Sequence, residues 1–325
     1  MDAPGAIVRA LMIDAEALLA SARRPLVLGL GGGGDVVGAL GIYELCRIYH
    51  GAEPRLGGVS WERRAIDPVP GPRSADEIEG ARVIAPGVLA ANAATRIRDR
   101  DIPFAESRMA GLLDEEVVLV EIAHGPATLA DGLATALDAL GCDLLICLDV
   151  GGDVLAHGDE AGLGSPLCDA VVLAAAARLA ADGRPVVGAV FGAGCDGELT
   201  PGEVLERLGE VAAAGGLVGA RALTDRTARR IEEAIEVVPT EASLEAVRCF
   251  RGASGETTIR GGLRRVIRTP VAAVTFFFDV EVALASASRL ARAVGPARSL
   301  EEANDILNEL GVTTELDSER AAFAS

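Results

Sequence analysis

The chain contains no lysine; all 30 of its basic residues are arginine. That absence excludes a Schiff base, a pyridoxal phosphate linkage, a P-loop lysine and the catalytic lysine of a protein kinase. Aromatic residues are scarce at 3%, although half the residues are hydrophobic, so alanine, valine and leucine must build the core. No run of about 18 apolar residues occurs, which predicts no transmembrane helix. The six cysteines, Cys46, Cys142, Cys147, Cys168, Cys195 and Cys249, form no CxxC and no zinc spacing. Most read as buried thiols acting as small hydrophobes. Basic charge is also in deficit. The net charge of −18 keeps the protein soluble and argues against a nucleic-acid partner, which would need a basic face. The first residues, MDAPGAIVRALMIDAEALLA, carry no basic leader and no typical cleavage site, so the expected location is the cytoplasm.

What is present is an alternation of apolar runs with helical patterns. After a helix at about Ile7 to Ala22, seven strands are predicted: Pro25–Leu30, Leu56–Glu62, Ala81–Pro86, Glu116–Ala123, Asp143–Val150, Pro185–Gly192 and Pro270–Asp279. Helix patterns follow most of them. Continuous apolar strands between helices predict a doubly wound, Rossmann-like α/β sheet of about seven or eight strands, mostly parallel and covered on both faces. No linker or repeat divides the 325 residues, which predicts a single α/β domain. Residues 217–268 are less regular and read as an insertion or cap. SLEE at Ser299–Glu302 reads as the capping box of a last helix, and residues 312–325 as a loose tail.

Ligands of open α/β sheets bind beyond the carboxyl ends of the strands, so the segment after each strand is a candidate. The first is GGGGD, Gly31, Gly32, Gly33, Gly34 and Asp35. With Gly29 it spells GxGxxG, and Glu62 ends the next strand, the order of glycines and acid found in dinucleotide-binding folds. Such glycines let a phosphate approach backbone N–H groups at a helix start; they also suit a plain tight turn. Asp35 can cap the helix, orient a sugar hydroxyl or hold a metal through bound waters. HGPATL brings His124. The richest segment, LDVGGDVLAHGDEAGLGSPLCDA, brings Asp149, Asp153 and His157. Asp149 and Asp153 are the candidate catalytic acids and Mg²⁺ ligands, because crowded carboxylates are costly without a partner. His124 and His157 are candidate proton carriers. Ser165 before Pro166 reads as a helix N-cap rather than a nucleophile. GAGCDGELT adds Asp196 and Glu198, which precede the TPGE helix start and have no evident structural task. Cys195 is disfavoured as a nucleophile because its acidic neighbours raise its pKa. Asp279 ends the last strand.

These stretches resemble the DUF1152 family, a domain of unknown function. The resemblance rests on GGGGDVVGA at Gly31–Ala39, WER at Trp61–Arg63, IDPVPGP at Ile66–Pro72, the run Asp149–Ala170, FGAGCDGEL at Phe191–Leu199 and TFFFD at Thr275–Asp279. It implies a Rossmann-like fold and supplies no activity. The residues themselves favour an enzyme that binds a nucleotide or a phosphorylated, hydroxyl-rich small molecule, with Mg²⁺ on the acids, for phosphoryl or glycosyl transfer or hydrolysis. An NAD(P)-dependent oxidoreductase and a non-catalytic nucleotide sensor are the alternatives. No membrane partner is expected, and a homo-oligomer is left open.

Overall fold

The computed structural model describes residues 14–324. Among the described residues the first helix, α1, is Ala15–Ser21, opened by the Asp14 side chain; the part expected from residue 7 to 13 lies outside them. The chain continues through β1 (Pro25–Gly29), α2 (Asp35–Tyr49) and β2 (Arg55–Val59). Five short strands follow: β3 (Ile78–Glu79), β4 (Arg82–Ala85), β5 (Val88–Ala91), β6 (Arg96–Ile97) and β7 (Ile102–Pro103). Then come α3 (Ala105–Leu113), β8 (Val117–Val120), α4 (Gly125–Leu140), β9 (Leu144–Val150), α5 (Pro166–Ala181), β10 (Val186–Phe191) and α6 (Pro201–Ala213). After β11 (Leu217–Ala222) lie α7 (Asp225–Val237), α8 (Glu241–Phe250), a hairpin of β12 (Gly255–Ile259) and β13 (Arg264–Arg268), and β14 (Val274–Phe278). Four helices close the sequence: α9 (Val280–Ser286), α10 (Arg289–Val294), α11 (Leu300–Glu309) and α12 (Glu315–Phe323).

Nine strands form one mixed sheet in the order β11-β14-β10-β9-β1-β2-β8-β5-β4. Its centre, β10-β9-β1-β2-β8, is parallel throughout, and antiparallel strands flank it on both sides. The fold is therefore α/β with a Rossmann-like parallel core. The expected third strand is half of an edge hairpin, β4–β5. The seventh, β14, runs antiparallel to β10. The region expected as an insertion or cap contributes β11 to the main sheet. The expected loose tail is instead the docked helix α12.

Period-two alternation places the core on both faces of the sheet. Leu26 and Leu28 of β1 face one apolar layer and Val27 the other. In β9, Leu145 and Cys147 join the first layer, and Leu144, Ile146 and Leu148 the second. Apart from Asp169 and Arg178, helix α5 is apolar on all sides, and it is almost wholly buried. It has to be, because α4, α9, α10 and α11 pack over it. Helix α2 covers the opposite face under α7. Among the described residues, no helix is long and apolar enough to cross a membrane.

Candidate functional site

From β1 the chain moves to β2 and β8 on one side, then returns to β9 and β10 on the other. The strand order thus reverses between β1 and β9, and a crevice opens at such a point beyond the carboxyl ends. A cavity of about 960 Å³ lies there, lined by Gly31–Gly34, Asp35, Asp149, Asp153, Asp169, Asp196 and Glu198.

The glycine run is shaped by its neighbours. Gly32 has φ +72°, and a Cβ there would lie 2.9 Å from the Trp61 carbonyl oxygen, so a side chain is excluded both by conformation and by space. The Gly31 amide donates to Asp35 Oδ2 at 3.0 Å, and Arg63 Nη2 donates to the Gly31 carbonyl. Asp35 opens α2 and turns back on its own loop. Gly32, Gly33 and Gly34 line the cavity, and their amides donate no hydrogen bond among the described residues.

The acids come from three loops held together by backbone. Gly151 donates to the Phe191 carbonyl at 2.9 Å, and Gly194 to the Gly151 carbonyl at 2.7 Å. A Cβ on Gly151, at φ +140°, would lie 2.3 Å from Asp196 Cγ; only glycine allows the two loops this approach. Two carboxylate groups result. In one, ligand atoms of Asp35, Asp149 and Asp169 lie within 4.8 Å of one another; in the other, those of Asp153, Asp196 and Glu198 do. Either could hold a metal ion.

Their electrostatics follow from burial and crowding. Burial pushes the Asp35 carboxyl up to about 6, against the Gly31 N–H and the charge of Arg63. Burial and then Glu198 push Asp196 up to about 7. Asp149, Asp153 and Asp169 are driven well above the usual carboxylate range, first by burial and then by neighbouring carboxylates: Asp35 and Asp196 beside Asp149, Glu198 and Asp169 beside Asp153, Asp149 and Asp35 beside Asp169. Glu198 differs. Burial would raise it, but Arg264, the Ser165 hydroxyl and the Gly164 amide outweigh that and hold it low.

The C-terminal helix finishes the wall. Glu315 accepts from the Leu167 and Cys168 amides at 3.0 and 2.9 Å, capping α5, and lies 3.6 Å from Arg63 Nη1. Arg63 stacks over Trp61 at 5.2 Å. Glu319 accepts from Trp61 Nε1 at 3.0 Å and from the Gly71 amide at 2.9 Å.

The family model described as "Protein of unknown function (DUF1152)" matches residues 26–323. The chain belongs to the DUF1152 family. No curated protein matches it, and no solved structure does. In this DUF1152 chain GGGGD, WER, the Asp149–Ala170 run and FGAGCDGEL all border the cavity.

Not every expected site residue in this DUF1152 protein arrives. Asp279 does not line the cavity; it accepts from the Glu281 and Val282 amides at 2.9 and 3.1 Å and caps α9. The cause is strand direction, because the end of antiparallel β14 lies at the opposite edge of the sheet. His124 is exposed and 3.2 Å from Glu121, two strands away from β1. His157 turns away to Glu210, at 2.9 Å. Neither histidine lines the cavity. Glu62 does, but its Oε1 accepts from the Ala105 amide at 2.5 Å, at the start of α3. Ser165 opens α5 without a side-chain cap; its hydroxyl goes to Glu198. Cys195 is buried, and its thiol is pushed far up by the neighbouring Cys249 and by burial.

Asp169, Arg264 and Glu315 were not among the expected site residues, and Arg63 appeared only within the WER motif. Asp169 had a signal, a lone acid in the otherwise apolar PLCDAVVLAAAA. For Glu315 the hint was Thr314 three residues before Asp317, a capping box that the structure contains.

Proposed function

We propose that the cavity is the active site of an enzyme that binds a nucleotide-like or phosphorylated, hydroxyl-rich small molecule. In this reading the buried acids hold a divalent cation such as Mg²⁺, and the chemistry is phosphoryl or glycosyl transfer or hydrolysis. The observation that carries it is Asp169. Its carboxylate is 2% exposed, its Oδ1 is wholly enclosed without a partner, and it sits with Asp35 and Asp149 beside the glycine loop. Leaving such a group unpaired costs on the order of 1–3 kcal/mol, which a cation would offset.

The division of labour follows from chemistry. Asp149, grouped with Asp35 and Asp169, would hold the cation, which would supply an activated water or hydroxyl. The free amides of Gly32–Gly34 at the start of α2 receive phosphate oxygens. Arg260 lines the cavity mouth, and its guanidinium makes no hydrogen bond or ion pair among the described residues, so it is free to meet a second anionic group. Among the described residues no histidine lines the cavity.

A thermal-shift screen with ATP, sugar phosphates, NAD and NADP, each with and without Mg²⁺, tests this reading. The expected outcome is stabilisation by a phosphorylated ligand that requires Mg²⁺ and is lost in Asp149→Ala. Stabilisation by NAD without metal would select the oxidoreductase reading instead. A bound ligand recovered unchanged after long incubation would select the sensor.

A further inference from the structure

Asp149 and Asp153, expected together as Mg²⁺ ligands, fall in different carboxylate groups. Asp149 belongs with Asp35 and Asp169, and Asp153 with Asp196 and Glu198. In each group two carboxylates are braced by backbone amides. Asp35 accepts from Gly31 at 3.0 Å and Asp149 from Gly152 at 2.8 Å. In the second group Asp196 accepts from Glu198 at 3.3 Å, and Glu198 from Gly164 and Ser165 at 2.8 Å each. The third carboxylate of each group has nothing. Asp169 and Asp153, 2% and 6% exposed, accept no hydrogen bond among the described residues, and both line the cavity. Buried carboxylates are normally hydrogen-bonded. Two braced oxygens and one free one, met twice in adjacent loops, form two ligand sets for hard cations.

We propose that the cavity holds two divalent cations, one on Asp35, Asp149 and Asp169, the other on Asp153, Asp196 and Glu198. Asp149 and Asp153, joined by Val150, Gly151 and Gly152, link the two sites. This deepens the proposed function and rests on its reading of the buried acids as cation ligands. One divalent ion would leave one of the two groups, with its unbraced acid, uncompensated. Two ions suit a phosphate that bridges them, the arrangement that stabilises both attacking and departing oxygens in phosphoryl transfer. The sites are unequal, because Arg264 already pairs with Glu198. Its positive charge repels a cation there, so the second site is the weaker one.

Chelator-treated full-length chain titrated with Mn²⁺ alone, with free Mn²⁺ read by electron paramagnetic resonance, tests this. The wild type should bind two equivalents in two steps. Asp169→Asn should lose the tighter step and Asp153→Asn the weaker, each with at least a tenfold drop in affinity at the altered site. If either variant fails to fold by circular dichroism, Asp35→Asn or Asp196→Asn reads the same site. A single equivalent in the wild type, loss of both steps in either variant or retention of both would overturn the inference. The failures are distinguishable. One Mn²⁺ with Mg²⁺-dependent stabilisation by a phosphorylated ligand removes the second cation and leaves the proposed function standing. Two Mn²⁺ with no such stabilisation does the reverse. No Mn²⁺ bound overturns both.

Discussion

Two buried acidic regions grow from the loop after β9. One is the cavity floor. The other joins Glu160 to Arg207, Glu210 and His157. Glu160 accepts from the His157 and Gly158 amides at 2.9 and 2.8 Å and from Arg207 at 3.2 Å; Glu210 accepts from Arg207 at 2.6 Å. Burial works to raise both groups of acids, yet the outcomes are opposite. N–H donors from His157, Gly158 and Arg207 hold Glu160 below the usual range, while Asp153 and Asp169 rise well above it. What separates a closed structural network from an open site is therefore the supply of donors, not the density of acid.

Removing charge should act with opposite sign in the two regions. Arg207→Ala leaves Glu160 buried without its cation and should cost on the order of 3 kcal/mol. Asp169→Asn in metal-free protein removes a repelled charge and should raise the melting midpoint. Chemical and thermal denaturation of both variants in chelator would break the comparison if the two changes had the same sign. Next in size is Glu315→Ala, which uncaps α5 and strips Arg63 of its partner; about 2 kcal/mol is expected from the lost cap and ion pair, read by the same denaturation.

The third test is pH. Asp35 and Asp196 have folded values near 6 and 7, above their ordinary 3.8. The folded chain thus keeps protons that the unfolded chain releases, and its stability should fall as pH rises from about 4 to 7. Saturating Mn²⁺ should flatten or reverse that slope, because a cation takes the place of the protons. Melting curves across this range with chelator and with Mn²⁺ measure it; a metal-free midpoint that rises with pH would contradict the raised values. The smallest effects belong to residues outside both regions. Asp279→Ala should cost about 1 kcal/mol through the α9 cap, and His124→Ala less than about 0.5 kcal/mol. Both should leave Mn²⁺ stoichiometry unchanged.

Much of this was legible in the sequence. β1, β2, β8, β9 and β10 announce themselves as continuous apolar runs, as strands covered on both faces must. β11 and the β12–β13 hairpin do not, because half their residues are exposed and their pattern is that of a loop. Strand direction leaves no compositional trace, which is why Asp279 was expected at the wrong edge. Asp35, Asp149, Asp153, Asp196 and Glu198 follow parallel strands closely, or open the next helix, and so reach the cavity. His124 and His157 share the same edge, but one remains over β8 and the other is drawn off by Glu210. Arg264 and Glu315 arrive from distant sequence, and only tertiary packing reveals them.

The clasp of Glu315 and Glu319 has a consequence in time. Arg63, Trp61 and the start of α5 leave the ribosome long before residues 315–323, and domains form as synthesis proceeds. Until residues 315–323 emerge, two α5 amides lack their acceptor and the Arg63 guanidinium lacks its carboxylate. The cavity wall is therefore completed only after Trp61, Arg63 and α5 have been made, and those elements can fold before the site they border is whole.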